Sequence, residues 1–270
     1  MNINQLDINL YFTVRDFRQT EIGSSCYILI IIVNQFNTMK TEKEQVEDFY
    51  DDFVKTQTKI GVSVRHRLIH KALKKIGLKD SSNVLEVGCG IGTVSSLILN
   101  SIKKGQFLGC DISSNSIKLA NELYKKSNVN FKVDDMSEFT SDIEFDFILF
   151  PDVLEHIPVE QHSKLFENIA KVCKGNTKVL INIPEPNSLN CTRVNQPEVL
   201  QIIDQSLSMQ DLMNNTYPHG FQVESIAPYS IHTDVNNYLS IVLIRDTKIN
   251  SITRKGKFSQ LIQNIKAKYI

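Results

Sequence analysis

Val84-Leu85-Glu86-Val87-Gly88-Cys89-Gly90-Ile91-Gly92-Thr93 is a short apolar run that passes into glycine at every second position and then into residues with helical spacing. It reads as a buried strand turning through a glycine loop into a helix. Glycine suits such a loop because the backbone can turn tightly and approach a ligand where a side chain would clash. The Gly88-x-Gly90-x-Gly92 spacing differs from the Gly-x-Gly-x-x-Gly that holds a pyrophosphate, which sets a dehydrogenase aside. Taken alone, the loop also fits a tight strand-to-helix connection with no ligand.

Outward from this segment the chain alternates. Apolar runs at Val84–Val87, Phe107–Cys110, Val129–Val133, Phe145–Phe150, Lys178–Ile183, Phe221–Ile226 and Tyr238–Ile244 predict strands. Thr93–Ser101, Ser114–Lys125, Val159–Cys173 and Pro197–Asn214 carry helical spacing or caps. Such alternation predicts an α/β fold, a Rossmann-like, seven-stranded, mostly parallel sheet with helices on both faces. The last two runs are joined through Pro228 without a helical period, which predicts a hairpin and one antiparallel strand at the end of the sheet. Before the first strand, Val46, Phe49, Phe53, Ile60, Val64, Leu68 and Leu73 recur at three- and four-residue steps and predict two helices.

Acids follow the next two strands. Asp111 ends Phe107-Leu108-Gly109-Cys110-Asp111, about 20 residues past the loop, where nucleotide-binding α/β folds place the acid that bonds ribose hydroxyls. Asp134 and Asp135 close the third strand at the same sheet edge. With the loop, these residues resemble class I S-adenosylmethionine-dependent methyltransferases, in particular the branch of ubiquinone-type and sugar O-methyltransferases, over about Ser81 to Ile244. The resemblance implies that S-adenosyl-L-methionine is the cofactor. It implies that Glu86, Gly88, Cys89, Gly90 and Gly92 hold its amino acid end, Asp111 its ribose and Ile112 its adenine, with Asp135 and the Met136 backbone at the adenine amino group. Phe150-Pro151-Asp152-Val153-Leu154-Glu155-His156 resembles the family segment ending in Leu-Glu-His, which puts Pro151 against the methionine part, although a small residue is commoner there. Tyr50 resembles an aromatic that covers the cofactor, and helix packing is an equal reading of it.

Methyl transfer from a sulfonium is an in-line displacement, so positioning and exclusion of water carry much of the rate. A hydroxyl acceptor also loses a proton, and histidine titrates in the range a base needs. His156, just after strand four, and His219, before strand six, are the candidate bases, each with a structural hydrogen-bonding role as the alternative. Residues 184–220 form an insertion beyond strand five that is expected to shape the acceptor pocket; Pro184-Glu185-Pro186-Asn187 reads as a turn and Arg193 as a possible anion partner. Its mix of Asn, Gln, Arg, Tyr and His suits a small, hydroxyl-rich acceptor such as a sugar or glycan intermediate. An RNA or protein methyltransferase and a non-catalytic cofactor-binding scaffold are the alternatives.

Composition sets limits on these readings. Lys plus Arg and Asp plus Glu both number 30, so no global positive field points to nucleic acid. The 5 cysteines form no C-x-x-C pair, which argues against zinc or a disulfide framework, and no metal is expected. A cytoplasmic location fits. The apolar run Cys26 to Val33 is about a third of what a membrane helix needs. Residues 1–38 lack amphipathic period, and Met39 begins a Lys/Glu-rich helical opening, so 1–38 read either as an extension upstream of the natural start or as a poorly ordered arm. The expected organisation is then a helical lid at 39–80, the cofactor-binding domain at 81–246 and a basic tail at 247–270.

Overall fold

A computed structural model of the chain describes residues 42–245 and 254–267. The chain divides after Phe49 into two units, and of the first only the opening of helix α1 (Glu42–Ile60) is described. The proposed extension at 1–38 lies outside the described residues.

In the second unit, helix α2 (Val64–Lys75) leads into a 7-stranded sheet of order β3-β2-β1-β4-β5-β7-β6. Its members are β1 (Val84–Val87), α3 (Thr93–Ile98), β2 (Phe107–Asp111), α4 (Ser114–Leu123), β3 (Val129–Val133), β4 (Phe145–Pro151), α5 (Val159–Lys171) and β5 (Cys173–Pro184), then α6 (Pro186–Asn195), α7 (Met209–Thr216), β6 (Phe221–Tyr229) and β7 (Tyr238–Arg245). Beyond them lies α8 (Lys257–Ala267). The pairs β1–β2, β1–β4, β2–β3 and β4–β5 are parallel, while β7 runs antiparallel to both β5 and β6. This is the expected mostly parallel sheet with one antiparallel strand. The hairpin sits at the end of the sheet with its second strand turned inward, so the edge is β6 rather than β7.

All four residues of β1 are buried, as a central parallel strand covered on both faces requires. Strand alternation sorts the core into two layers. Leu85, Val87, Ile148 and Phe150 face Leu165, Phe166 and Ile169 of α5, whereas Val84, Phe107, Phe147 and Leu149 face Ile69, Leu73, Ile98 and Ile117 of α2, α3 and α4. Phe166 lies 5.7 Å, centroid to centroid, from both Phe150 and Phe221 and joins the central strands to the edge strand.

Two expectations change. The Pro184–Asn187 segment is not a turn that excludes helix: Pro186 starts α6, where a missing N–H costs nothing, and the Glu185 side chain caps the Ser188 N–H at 2.8 Å. The helix expected over Pro197–Asn214 is a short 3-10 turn at Pro197–Val199, an irregular stretch, and then α7, opened by a reciprocal Ser208–Asp211 capping box.

Phe166→Ala should lower unfolding stability by about 3–5 kcal/mol in urea titration, since it leaves a cavity between two aromatic neighbours that cannot close over it.

Candidate active site

The C-terminal ends of β1 and β2 are joined by the glycine loop. The Cys110 carbonyl accepts from the N–H groups of Gly88 (2.8 Å) and Cys89 (3.0 Å), and the Gly90 N–H donates to Asp111 Oδ2 at 2.7 Å. Gly88, Gly90 and Gly92 have φ of 70°, 53° and 83°, the left-handed region that favours glycine. At Gly88 space is as restrictive as torsion, whereas Gly90 faces only the movable end of the Gln57 side chain. A Cβ on Gly88 would lie 2.4 Å from Val153 Cγ2, and one on Gly90 would lie 2.7 Å from Gln57 Nε2.

Asp111 accepts at its other oxygen from the Ser113 N–H at 2.9 Å. Burial pushes its pKa up, and the backbone donors of Ser113 and Gly90 hold it down. Each oxygen keeps a second lone pair for a ligand hydroxyl. Glu86 is buried with Oε2 accepting from Ser95 Oγ at 2.7 Å and Oε1 without a hydrogen-bond partner. Burial pushes the Glu86 carboxyl up to about 8 against the Ser95 bond. Cys89 is a buried thiol within the loop, and Ile112 follows Asp111 at the same edge.

After β3, Asp134 Oδ1 accepts from the Met136 N–H at 2.8 Å and Oδ2 pairs with Lys132 at 2.7 Å. Asp135 is exposed, its Oδ1 accepting from Ser137 N–H and Oγ. Met136 is buried at φ 65°, and Asp152, after Pro151, sits at φ 56°. Left-handed backbone at a residue with a Cβ costs roughly 1–2 kcal/mol. Both strained positions follow strands at this edge, which is where functional sites store strain.

Helix α1 reaches the same edge. Asp51 Oδ1 accepts from Ser113 Oγ at 2.5 Å and from the Asn115 N–H at 3.1 Å, fixing α1 to the start of α4. Tyr50 stands 6.3 Å from the His156 ring, centroid to centroid; burial and then the charges of Asp111, Glu155 and Asp204 raise its hydroxyl pKa. His156 Nδ1 lies 2.5 Å from the Ile203 carbonyl and 3.3 Å from Asp204 Oδ1. Because a carbonyl only accepts, Nδ1 carries the proton and Nε2 keeps its lone pair. Burial lowers the His156 pKa, so the imidazole is neutral near pH 7. Arg193 anchors this side of the insertion by donating to the Asp204 carbonyl at 2.6 Å and to Ser206 Oγ at 3.2 Å, a structural clamp rather than an open anion site.

The ends of β4, β5, β6 and β7 add a cluster of which the sequence motif marks only Asp152 and Glu155. Arg65 Nε pairs with Asp152 at 2.9 Å and its Nη1 donates to the Tyr238 hydroxyl at 2.9 Å, while Asn182 Nδ2 donates to the Tyr229 hydroxyl at 3.1 Å. Burial raises Asp152 despite Arg65, and burial together with Asp152 raises buried Glu155 well above the carboxylate range. Asp152 Oδ1, Glu155 Oε2 and Asn182 Oδ1 are buried without a partner.

His219 is not brought here. Register places Phe221 opposite Arg245 and Tyr229 opposite Tyr238, while Tyr238 pairs with Pro184 at the C-terminal end of β5. Because β6 runs parallel to β5, the residue before it lies at the far edge, and His219 Nε2 there meets Ser163 Oγ at 2.9 Å. The expectation that His219 enters the acceptor pocket is corrected by that strand direction.

The fold is the Rossmann-like methyltransferase fold: the structure aligns with magnesium protoporphyrin IX methyltransferase from Synechocystis PCC 6803, solved with bound SAH, at TM-score 0.60 and 17% identity over 76% of this chain and 100% of that one. Residues 84–176 match the family described as "Methyltransferase domain". Among curated relatives, the candidate methyltransferase 235L of Invertebrate iridescent virus 6 is 31% identical over 109 residues, 40% of each chain. Phosphoethanolamine N-methyltransferase of Plasmodium falciparum is 32% identical over 114 residues, 41% of this chain and 42% of that one. The matched stretch thus spans well under half the length of these curated relatives.

Glu86 has a folded-state pKa of about 8 against an ordinary 4.5. A raised acid stabilises most below its unfolded value, and that contribution is lost as pH rises through the folded one. Urea titrations of wild type and Glu86→Gln should therefore diverge between pH 4.5 and about 8, the variant gaining roughly 5 kcal/mol relative to wild type by the upper end. Parallel curves would refute the assigned shift.

Proposed function

We propose that the chain transfers a methyl group from S-adenosyl-L-methionine to a small polar acceptor bearing hydroxyl groups, such as a sugar or glycan intermediate. The observation that carries this reading is the glycine loop bonded to Asp111 at 2.7 Å, at the C-terminal edge of a domain matching methyltransferases. When bound, the cofactor supplies a methyl group on a positively charged sulfur, open to in-line displacement.

The residues fit such a cofactor. Glu86 Oε1, buried and unpartnered, suits the ammonium of the amino acid end, and Gly88 leaves backbone open where a Cβ would meet Val153. Asp111 has lone pairs for ribose hydroxyls, while Ile112, Met136 and Asp135 border the adenine side. Cys89 and Gly92 shape the loop, Pro151 stands where the methionine part would lie, and Tyr50 closes over the edge.

His156 is the proposed base. Its Nδ1–H is held by the Ile203 carbonyl, which leaves Nε2 to take the acceptor's hydroxyl proton. Asp152 Oδ1, Glu155 Oε2 and Asn182 Oδ1 offer lone pairs without donors, and a hydroxyl-rich molecule supplies donors. The two buried carboxylates, with the phosphoethanolamine N-methyltransferase relative, favour a second reading in which the acceptor is an amine. RNA and non-catalytic readings lack a comparable observation, and the protein reading has relatives named for it but no feature of this site that favours it. The described cysteines are free thiols, which supports the cytoplasmic placement in this reading.

Calorimetric titration should give micromolar S-adenosylmethionine binding that Asp111→Ala weakens by about 100-fold, as expected for loss of a charge-assisted pair of bonds. His156→Gln should bind within about threefold of wild type yet lower kcat for methyl transfer by about 10²–10⁴. No binding by wild type would defeat the assignment; binding without transfer to any hydroxyl or amine would leave a scaffold.

A further inference from the structure

We infer that α8 is a peripheral docking helix for an anionic lipid surface. Every residue from 254 to 267 is exposed, and Phe258, Leu261, Ile262 and Ile265 are 76%, 54%, 40% and 49% exposed. Spacings of three and four residues place these side chains along one stripe, about 100° wide on a helix of 3.6 residues per turn. Lys257 and Lys266 fall on its two opposite borders, and Ser259, Gln260, Gln263 and Asn264 occupy the other side. Exposed apolar residues gathered in one stripe are a binding surface rather than ordinary scatter.

Charge chooses the occupant. Asp246 is the last acid of the sequence, and beyond it stand Lys248, Arg254, Lys255, Lys257, Lys266 and Lys268, against a chain whose net charge is +0. An apolar stripe bordered by lysines, with no carboxylate, is the layout of a helix lying in a membrane interface, where long basic side chains reach back to anionic headgroups. At 11 residues the helix cannot cross a bilayer. Nucleic acid would use the cations but leave the stripe in water. A second copy of this chain would bury the stripe while opposing like charges.

The test is co-sedimentation of the full chain with vesicles of phosphatidylcholine containing about a third phosphatidylserine, and with phosphatidylcholine alone. The expected result is at least roughly tenfold tighter binding to the anionic vesicles, weakened about tenfold as salt rises from about 0.1 to 0.5 M. Leu261→Glu with Ile265→Glu, and separately Lys257→Glu with Lys266→Glu, should each reduce binding by about tenfold or more. Both pairs lie on exposed positions, so the thermal midpoint should not move. Equal binding to both vesicles, none by wild type, or full retention by both variants would overturn the proposal. So would a dimer in size-exclusion chromatography that the Leu261/Ile265 variant dissolves, or single-stranded RNA binding lost in the lysine variant with no vesicle binding.

Discussion

The bond from the Gly90 N–H to Asp111 Oδ2 is the constraint on which the rest of the site depends. It is charge-assisted, 2.7 Å long, and it joins the loop after β1 to the end of β2, so the two strand ends cannot move apart independently. It is possible only because Gly88, Gly90 and Gly92 accept left-handed backbone, which turns the loop N–H groups back toward the neighbouring strand. The Cys110 carbonyl takes two more of those N–H groups, and the Ser113 N–H fixes the other Asp111 oxygen. With its orientation settled from both sides, the carboxylate presents its remaining lone pairs in one direction. Preorganisation of this kind avoids reorganisation when a ligand arrives.

Helix α1 is tied to the same centre. Asp51 bonds Ser113, the residue that both caps α4 and donates to Asp111, so the helix carrying Tyr50 and Gln57 is positioned by the neighbour of Asp111 itself. Tyr50 thereby lies among Asp111, Glu155 and Asp204, and all three raise its hydroxyl pKa after burial. The concentration of buried acid at this edge is costly without a ligand: Glu86, Asp111, Asp152 and Glu155 are all raised, with burial as the leading cause. In the proposed function, the cofactor's cationic centres and the acceptor's donors offset that cost. Perturbed acids gathered in this way are a mark of functional sites.

Sequence legibility followed how local each signal was. The bounds of β1 and β3 were readable to the residue because β1 is a continuous buried apolar run and β3 an alternating one with Phe131 inward, and the glycine loop and Asp111 lie in one βαβ unit. The first five residues of β5 were missed because Cys173–Thr177 are mostly polar. Helix α6 was missed because two prolines read as breakers, although Pro186 occupies the one helical position that tolerates proline. Arg65, Asn182, Tyr229 and Tyr238 were invisible: they come from α2, β5, β6 and β7, and only the register of the last two strands brings them together. The misplacement of His219 was avoidable. A parallel β6 puts its preceding residue at the opposite edge from Asp111, and the hairpin expectation already implied that direction.

The two sides of this edge are built by different means. On the proposed cofactor side, short-range backbone bonds within one βαβ unit set the geometry, inside the stretch 84–176 that matches the family described as "Methyltransferase domain". The proposed acceptor side is assembled from the insertion and the last strands, and its key contact is long-range: the Ile203 carbonyl sets the tautomer of His156 across 47 residues of sequence, with Asp204 beside it. Arg193 holds the Asp204 backbone in place from α6, so the state of the proposed base is governed by a segment beyond residues 84–176. In the proposed function, substitutions in that insertion change acceptor binding and the state of His156 while leaving the Gly90–Asp111 bond untouched. Within that proposal, the separation assigns the acceptor contacts to the insertion at 184–220 and the strand ends beside it, and the cofactor contacts to the glycine loop.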